Sequence, residues 1–541
     1  MKRLLCLLVG SIFMTSNIHA NTNNSWAEQV LSQLTLEEKI GQLLMIDSYS
    51  CLSEQHLESV ETLIKKYHIG SVIFHKGNPE TQVAWTNQLQ ALSKYPLLIA
   101  QDCEWGLNMR LTNTVRFPKN MTLGALQDEF MIYEVGQEIG KHCRAIGVHL
   151  NFAPVVDINN NPDNPIIGVR SFGSHKEDVT RKSILFAQGL HDGGVIACAK
   201  HFPGHGDTAV DSHEDLPVLH QSYERLLHEE LHPFKVMIDM GIPSIMMAHL
   251  SIPVLDKTPH QPSTLSRPIV TDLLRKQLHF QGLIVTDAMT MKGVTKFYNP
   301  GQAVLQAILA GNDLVVMPVD IPAAITCITQ AVHDGILSEQ ELDEHVLRVL
   351  RAKEHVGLHK NRFVDETKVQ DIINSDKAKI LKKDLYQQAV TLLRDEQNII
   401  PIKNIKKVGL LQVGGQYDQQ LASIVGGYEQ ISPVPTPEEL MYVARILNQY
   451  DTILIVLYTI DKTMGFFGRI ASISQELTNI FDGFRASGKK VGVIACMSPY
   501  CLKFLEQEKT VIMTYENDPD ALQAGLDVVM GKLIPSGKLP I

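Results

Sequence analysis

The sequence predicts an α/β protein, a (β/α)8 barrel followed by a smaller α/β domain. Three observations predict it. Eight short apolar runs recur before about residue 318 with amphipathic stretches between them, as parallel strands and crossover helices do. Polar residues (Asp102, Asp157, Lys200 with His201, His249 and Asp287) directly follow several of these runs, where a packed barrel core gives way to the open C-terminal mouth. A second, shorter βα series follows a charged helical stretch.

Taken in order, residues 1–20, "MKRLLCLLVGSIFMTSNIHA", combine a basic start (Lys2, Arg3), an apolar stretch from Leu4 to Met14 and a small Ala20. That pattern is a signal peptide, and its apolar core is too short to span a bilayer. Cys6 lies inside the apolar stretch and Asn21 follows the expected cut, so no lipoprotein cysteine is placed at the new terminus. A periplasmic or secreted chain without a stable membrane anchor is expected. The barrel is assigned to 21–360, its strands being "IGQLLMIDS", "IGSVIFHK", "PLLIAQDCE", "VHLNFAPVVDI", "GVIACAKHF", "PSIMMAHLS", "GLIVTDAMT" and "GNDLVVMP". Residues 361–395 read as a connection. The second domain, 396–541, is built on "KKVGLLQV", "TILIVLYTI", "KKVGVIACM" and "KTVIMTYE".

Composition bounds the function. With 541 residues, 44% hydrophobic and 20% charged, the chain is long enough for two cores. A formal net charge of -10 and the absence of any Lys/Arg run argue against nucleic acid as a partner, because neutralising phosphates needs clustered cations. Beyond the leader the seven cysteines (Cys51, Cys103, Cys143, Cys198, Cys327, Cys496, Cys501) are odd in number and scattered, which is no disulfide framework. Spacing leaves open whether Cys496 and Cys501 pair. No CxxC or HExxH spacing points to zinc.

The densest chemistry lies in "KHFPGHGDTAVDSHEDLP", Lys200 to Pro217, with three histidines and three aspartates. One reading is a metal site from His201, His205, Asp207 and His213. The glycines of "GHGDT" suit a mobile loop.

"KHFPGHGDTAVDSH", "GLIVTDAMTMKGV" and "NPIIGVRSFGS" resemble the N-acetylglucosaminidase branch of glycoside hydrolase family 3, and the resemblance extends over essentially the whole mature chain. It implies a barrel followed by an α/β sandwich domain and a retaining mechanism, which needs a carboxylate nucleophile and a proton donor that later becomes a base. Asp287 matches the nucleophile; as a strand-end aspartate it could otherwise cap the next helix. His213 matches a histidine proton donor, polarised by Asp211 two residues before it. Alternate residues of an extended loop point the same way, so "DSH" lets the carboxylate fix the imidazole. Asp102 with Arg110, Arg170 of "RSFG", and Lys200 with His201 match the sugar-binding positions. One departure is Trp105 where the family has glycine; it could stack on a sugar or pack the mouth.

The resemblance implies an exported exo-β-N-acetylglucosaminidase acting on cell-wall fragments or chitin oligomers without metal or cofactor. Rival readings are a phosphorylase with the same residues, a β-glucosidase, and a glycan-binding protein that does not turn over. A substrate-assisted route needs an Asp-Glu pair at the site. The pairs available (Asp128 with Glu129, Asp343 with Glu344, Asp395 with Glu396) lie in helical or connecting segments, so a covalent route is expected.

Overall fold

The computed structural model describes residues 25–416, 418–458 and 474–541; the expected leader lies outside them. The chain forms two compact units. One comprises the residues up to Phe117, Ile132–Asn161 and Lys176–Ala378, and the other Pro118–Met131, Pro162–His175 and Lys379–Ile541.

The first unit is a parallel barrel. Its strands are β1 (Leu44–Ser48), β2 (Ser71–Phe74), β3 (Leu98–Gln101), β4 (Leu150–Asn151), β5 (Ile196–Phe202), β6 (Ser244–Met247), β7 (Leu283–Thr286) and β8 (Val315–Val316), paired in the order β7-β6-β5-β4-β3-β2-β1-β8. A bridge between Val285 and Leu314 brings β8 back against β7. All eight expected runs contain one of these strands. They are legible because a parallel strand is covered on both faces and reads as continuous apolar sequence; β2, β3, β6 and β7 are buried at every position.

Helices follow the strands. The one over Glu54–Tyr67 buries Leu57, Val60 and Ile64, a three-and-four spacing that makes one apolar face. At the opposite end from the mouth, the buried Asp313 before β8 binds His345 Nδ1 at 2.8 Å, Arg348 Nη1 at 3.0 Å and Arg275. The fully buried Lys353 donates to Gln42 Oε1 at 2.5 Å.

Burial pushes the Lys353 ammonium from its ordinary value down to about 7. Between that value and about 10.5 the unfolded chain holds a proton that the folded chain has released, so folding stability rises with pH across this window. Below it both states are protonated, and the full cost of burying an ammonium remains. Lys353→Met is expected to stabilise the fold by a few kcal/mol at pH 6 and to flatten the rise towards alkaline pH. Thermal melts from pH 6 to 10 check this; a loss of stability at pH 6 would show that the Gln42 hydrogen bond outweighs desolvation.

The second unit carries a six-stranded sheet in the order β11-β10-β12-β13-β14-β9. Its strands are β9 (Thr391–Asp395), β10 (Val408–Val413), β11 (Gly427–Ile431), β12 (Thr452–Tyr458), β13 (Lys490–Cys496) and β14 (Thr510–Met513), all parallel except β9, which runs antiparallel to β14. The four expected runs contain β10, β12, β13 and β14. The other two are edge strands. β9 lies inside the stretch read as a connection, and β11, "GYEQI", is half-buried at four of five positions. A strand with one neighbour and one open side carries little apolar signal. The unit also takes in 118–131, which carries a short buried helix over Asn120–Gly124, and 162–175. All seven described cysteines are free thiols, so Cys496 and Cys501 are not paired.

Candidate active site

The barrel unit gathers charge at its C-terminal strand ends. Asp102 follows β3, and the Lys200 ammonium, on β5, sits 2.9 Å from Asp102 Oδ1 and 2.8 Å from Glu104 Oε1. The Arg110 guanidinium binds the other Asp102 oxygen. Two carboxylates and two cations thus offer charged acceptors and donors, which make the stronger hydrogen bonds to hydroxyls. Burial alone would raise the Asp102 pKa. The Lys200 and Arg110 charges outweigh it and hold the carboxyl well below the usual range.

Glu104 was not singled out from sequence; its only signal was a second acid two residues after Asp102. Glu104 and Lys200 are 2% and 3% exposed at the side chain, so Lys200→Met would take a cation away from a buried carboxylate. Breaking such a pair from one side costs about 3–5 kcal/mol. The variant is therefore expected to lose thermal stability, and Lys200→Arg to recover part of it; an unchanged melting temperature in Lys200→Met would contradict the buried network.

His75, after β2, was also missed. Its ring stacks on Tyr49 at 5.0 Å, and burial with the Arg110 charge lowers its pKa to about 4, leaving it neutral beside the Asp102 group.

Asp157 is the buried hub of the next cluster. Its Oδ2 binds His201 Nδ1 at 2.7 Å, and its Oδ1 accepts the His205 amide at 2.7 Å. Burial raises its pKa, but His201 and His205 overcome that and lower it. His205 is itself buried; its Nδ1 lies 2.8 Å from Thr208 Oγ1 and its Nε2 3.0 Å from Ser212 Oγ. Asp207 turns elsewhere, taking Arg225 at 2.7 Å and Gln221 at 2.6 Å. His201, His205, Asp207 and His213 therefore do not converge. Among the described residues no group of three or more His, Cys, Asp or Glu is arranged to hold a metal ion.

Gly206 has a packing reason that its sequence context does not show. A Cβ on Gly206 would lie 1.7 Å from the Ile158 carbonyl oxygen, so close packing requires glycine at this position.

Asp211 and His213 form the expected pair. Asp211 Oδ1 accepts the His213 amide at 2.7 Å and lies 2.9 Å from His213 Nδ1, and the two side chains are 30% and 49% exposed. Burial raises the Asp211 pKa, and its hydrogen bonds to His213 reverse the shift and lower it.

Asp287 stands at the end of β7, its amide donating to Met247 O at 3.0 Å and its Oδ1 accepting the Ala288 amide at 2.8 Å. It caps no helix, because the next one begins at Lys292 with Met291 at its N-cap. Burial would raise its pKa. The combined pull of His201, His249 and His213 outweighs burial, and the carboxylate stays ionised. His249, at the end of β6, binds Thr264 Oγ1 at 2.8 Å and Ala288 O at 3.1 Å. The loop bearing the pair is joined to the loop after β7: the Gly293 amide donates to Ser212 O at 3.3 Å, and Lys296 meets Asp215 at 2.8 Å.

Seven of the eight expected site residues thus lie on the barrel unit at its strand ends. Arg170 belongs to 162–175, which groups with the second unit; there it is buried, with Nη1 donating to Ile166 O at 3.2 Å and its carbonyl accepting Asn120 Nδ2 at 2.7 Å. Trp105 is 6% exposed, which favours packing over stacking on a sugar.

The family description "Glycosyl hydrolase family 3 N terminal domain" matches residues 35–352. Among curated proteins, Beta-hexosaminidase A of Pseudoalteromonas piscicida is 33% identical over 365 residues, which are 59% of this chain and 61% of that protein. The chain therefore spans less than two thirds of that relative. A Beta-N-acetylglucosaminidase/beta-glucosidase of Cellulomonas fimi is 23% identical over 556 residues, covering 96% of this chain and 95% of the relative. Of solved structures, a glycoside hydrolase family 3 beta-N-acetylglucosaminidase from Paenibacillus sp. str. FPU-7 superposes with a TM-score of 0.78 at 30% identity, over 94% of this chain and 98% of that one. The strand-end carboxylates and the barrel that carries them fall within the matched residues, more than half of the chain, and the protein belongs to glycosyl hydrolase family 3.

Proposed function

We propose that the protein is an exported, retaining, exo-acting β-N-acetylglucosaminidase that removes terminal N-acetylglucosamine from cell-wall fragments or chitin oligomers. The observation that carries this reading is Asp287 at the end of β7, whose following segment is tied by the Gly293–Ser212 hydrogen bond to the loop in which Asp211 holds His213 by a 2.9 Å hydrogen bond. The names of the relatives support the sugar, and the expected leader supports export.

In the first step an Asp287 oxygen bonds to the anomeric carbon as the glycosidic C–O bond breaks. The leaving oxygen takes a proton from the His213 imidazolium. With Asp211 on Nδ1, the proton exchanged with substrate is the one on Nε2. In the second step the neutral ring takes a proton from water, whose oxygen displaces Asp287 and returns a β-configured sugar. Asp102, Arg110, Lys200 and His201, all on the barrel unit, hold the terminal sugar.

A side-by-side test uses muropeptides, chitobiose and aryl glycosides of glucose and N-acetylglucosamine, with and without inorganic phosphate. Preference for the N-acetyl sugars with free sugar as the product supports the reading. Faster turnover of the aryl glucoside would make it a β-glucosidase, sugar 1-phosphate a phosphorylase, and binding without release a glycan-binding protein.

A further inference from the structure

The cluster "KHFPGHG" contains one histidine that neither the sugar-binding nor the proton-transfer role absorbs. His205 is 1% exposed, and both ring nitrogens are engaged within its own loop. The Thr208 hydroxyl donates to the His205 carbonyl at 3.1 Å, so its oxygen is the acceptor for His205 Nδ1–H. That fixes the tautomer: Nε2 carries the lone pair, and the Ser212 hydroxyl donates to it at 3.0 Å. Burial keeps the ring neutral, with its pKa lowered to about 4.

Ser212 stands between Asp211 and His213. Its side chain is buried, 2% exposed, while its two neighbours are partly open to solvent. The backbone that bears the ring is anchored by Asp157, whose Oδ1 takes the His205 amide and whose Oδ2 takes His201 Nδ1. The hub that orients a sugar-binding residue therefore also carries the support under the proton-transfer pair.

The loop is also held at its flanks, where Asn161 Nδ2 donates to Thr208 O at 3.2 Å and the backbone of Pro217 and Leu219 pairs with Ser251, and among the contacts that reach residues 211–216 directly are two more. The Lys296–Asp215 pair is about half exposed on both partners, and such pairs contribute little. The Gly293 to Ser212 hydrogen bond is long at 3.3 Å. By contrast, the His205 to Ser212 bond is buried at both ends, where an unmet partner is expensive.

We infer that the His205–Ser212 hydrogen bond is the latch that positions Asp211 and His213 over the anomeric centre, so that His205 and Ser212 are positioning residues of the acid–base step and not sugar ligands. The inference rests on the proposed role of His213.

The test compares Ser212→Ala, Ser212→Thr and His213→Ala on a substrate with a poor leaving group, chitobiose, and on an activated aryl N-acetylglucosaminide. A misplaced proton donor matters only where the leaving oxygen needs its proton. Ser212→Ala is expected to lower kcat on chitobiose by about 10- to 100-fold, with KM and the activated substrate little affected. Ser212→Thr, which keeps the hydroxyl, should restore most of the loss, and residues 209–216 should exchange backbone hydrogen faster in Ser212→Ala than in the parent.

Equal losses on both substrates, or no loss on either, would overturn the latch while His213→Ala still shows the contrast. Absence of the contrast in His213→Ala itself would overturn the role of His213, and the latch with it.

Discussion

Asp287→Ala is expected to abolish turnover of activated and unactivated substrates alike, by on the order of 10⁴-fold or more, because no glycosyl-enzyme bond can form in either case. The environment of the carboxylate makes this specific. Burial would favour the neutral acid, and His201, His249 and His213 overcome it, so the group is held ready as an anion. The variant should fold, since the lost contact is a single hydrogen bond to the Ala288 amide. Steady-state kinetics with a melting curve check it; residual activity above a percent, or a collapse of the melt, would assign Asp287 a binding or structural role. The lowered pKa also fixes the pH dependence. Loss of activity from protonating Asp287 begins below the ordinary carboxylate range, and an acid limb in kcat/KM above that range belongs to another group.

His213→Ala should divide substrates by leaving group. General acid–base assistance contributes typically 10²–10⁴-fold, and an activated aryl glycoside departs largely without it. The variant is therefore expected to lose about that factor on chitobiose and far less on the aryl substrate. Azide, which needs no base, should intercept the accumulated glycosyl-enzyme as a β-glycosyl azide. Asp211→Ala should follow in the same direction, because an unheld imidazole loses its orientation. Equal loss on both substrates, with no azide product, would leave the proton donor unidentified.

How far the sequence carried depended on whether a residue's role is local. The barrel strands are covered on both faces, so each showed as an apolar run, and the acids and bases after them showed the mouth. The Asp211–His213 pair was legible as two residues two apart, but they meet in a turn, with Asp211 Oδ1 accepting the His213 amide and Asp211 O the Glu214 and Asp215 amides, and not on one face of an extended loop. What was illegible depends on contacts distant in sequence. Glu104 acquires its meaning only from Lys200, which lies 2.8 Å away across the barrel mouth. Asp157, read only as a strand-end polar residue, is a hub because His201 and His205 converge on it.

Gly206 shows a different limit: glycine was visible, but its reason, the Ile158 carbonyl, was not. Arg170 matched a motif, yet the segment that bears it groups with the second unit, and no periodicity in "NPIIGVRSFGS" could have announced that. Strands β9 and β11 were missed because edge strands need bury only part of their surface.

The central claim is that Asp287 forms a covalent bond to the sugar. Incubation with an activated 2-fluoro glycoside that slows the second step, followed by digestion and peptide mapping, measures it directly. The account predicts one fluoroglycosyl adduct, on Asp287 of "GLIVTDAMT", formed in step with the loss of activity. An adduct on any other residue, or inactivation-free turnover with no adduct at all, would contradict it.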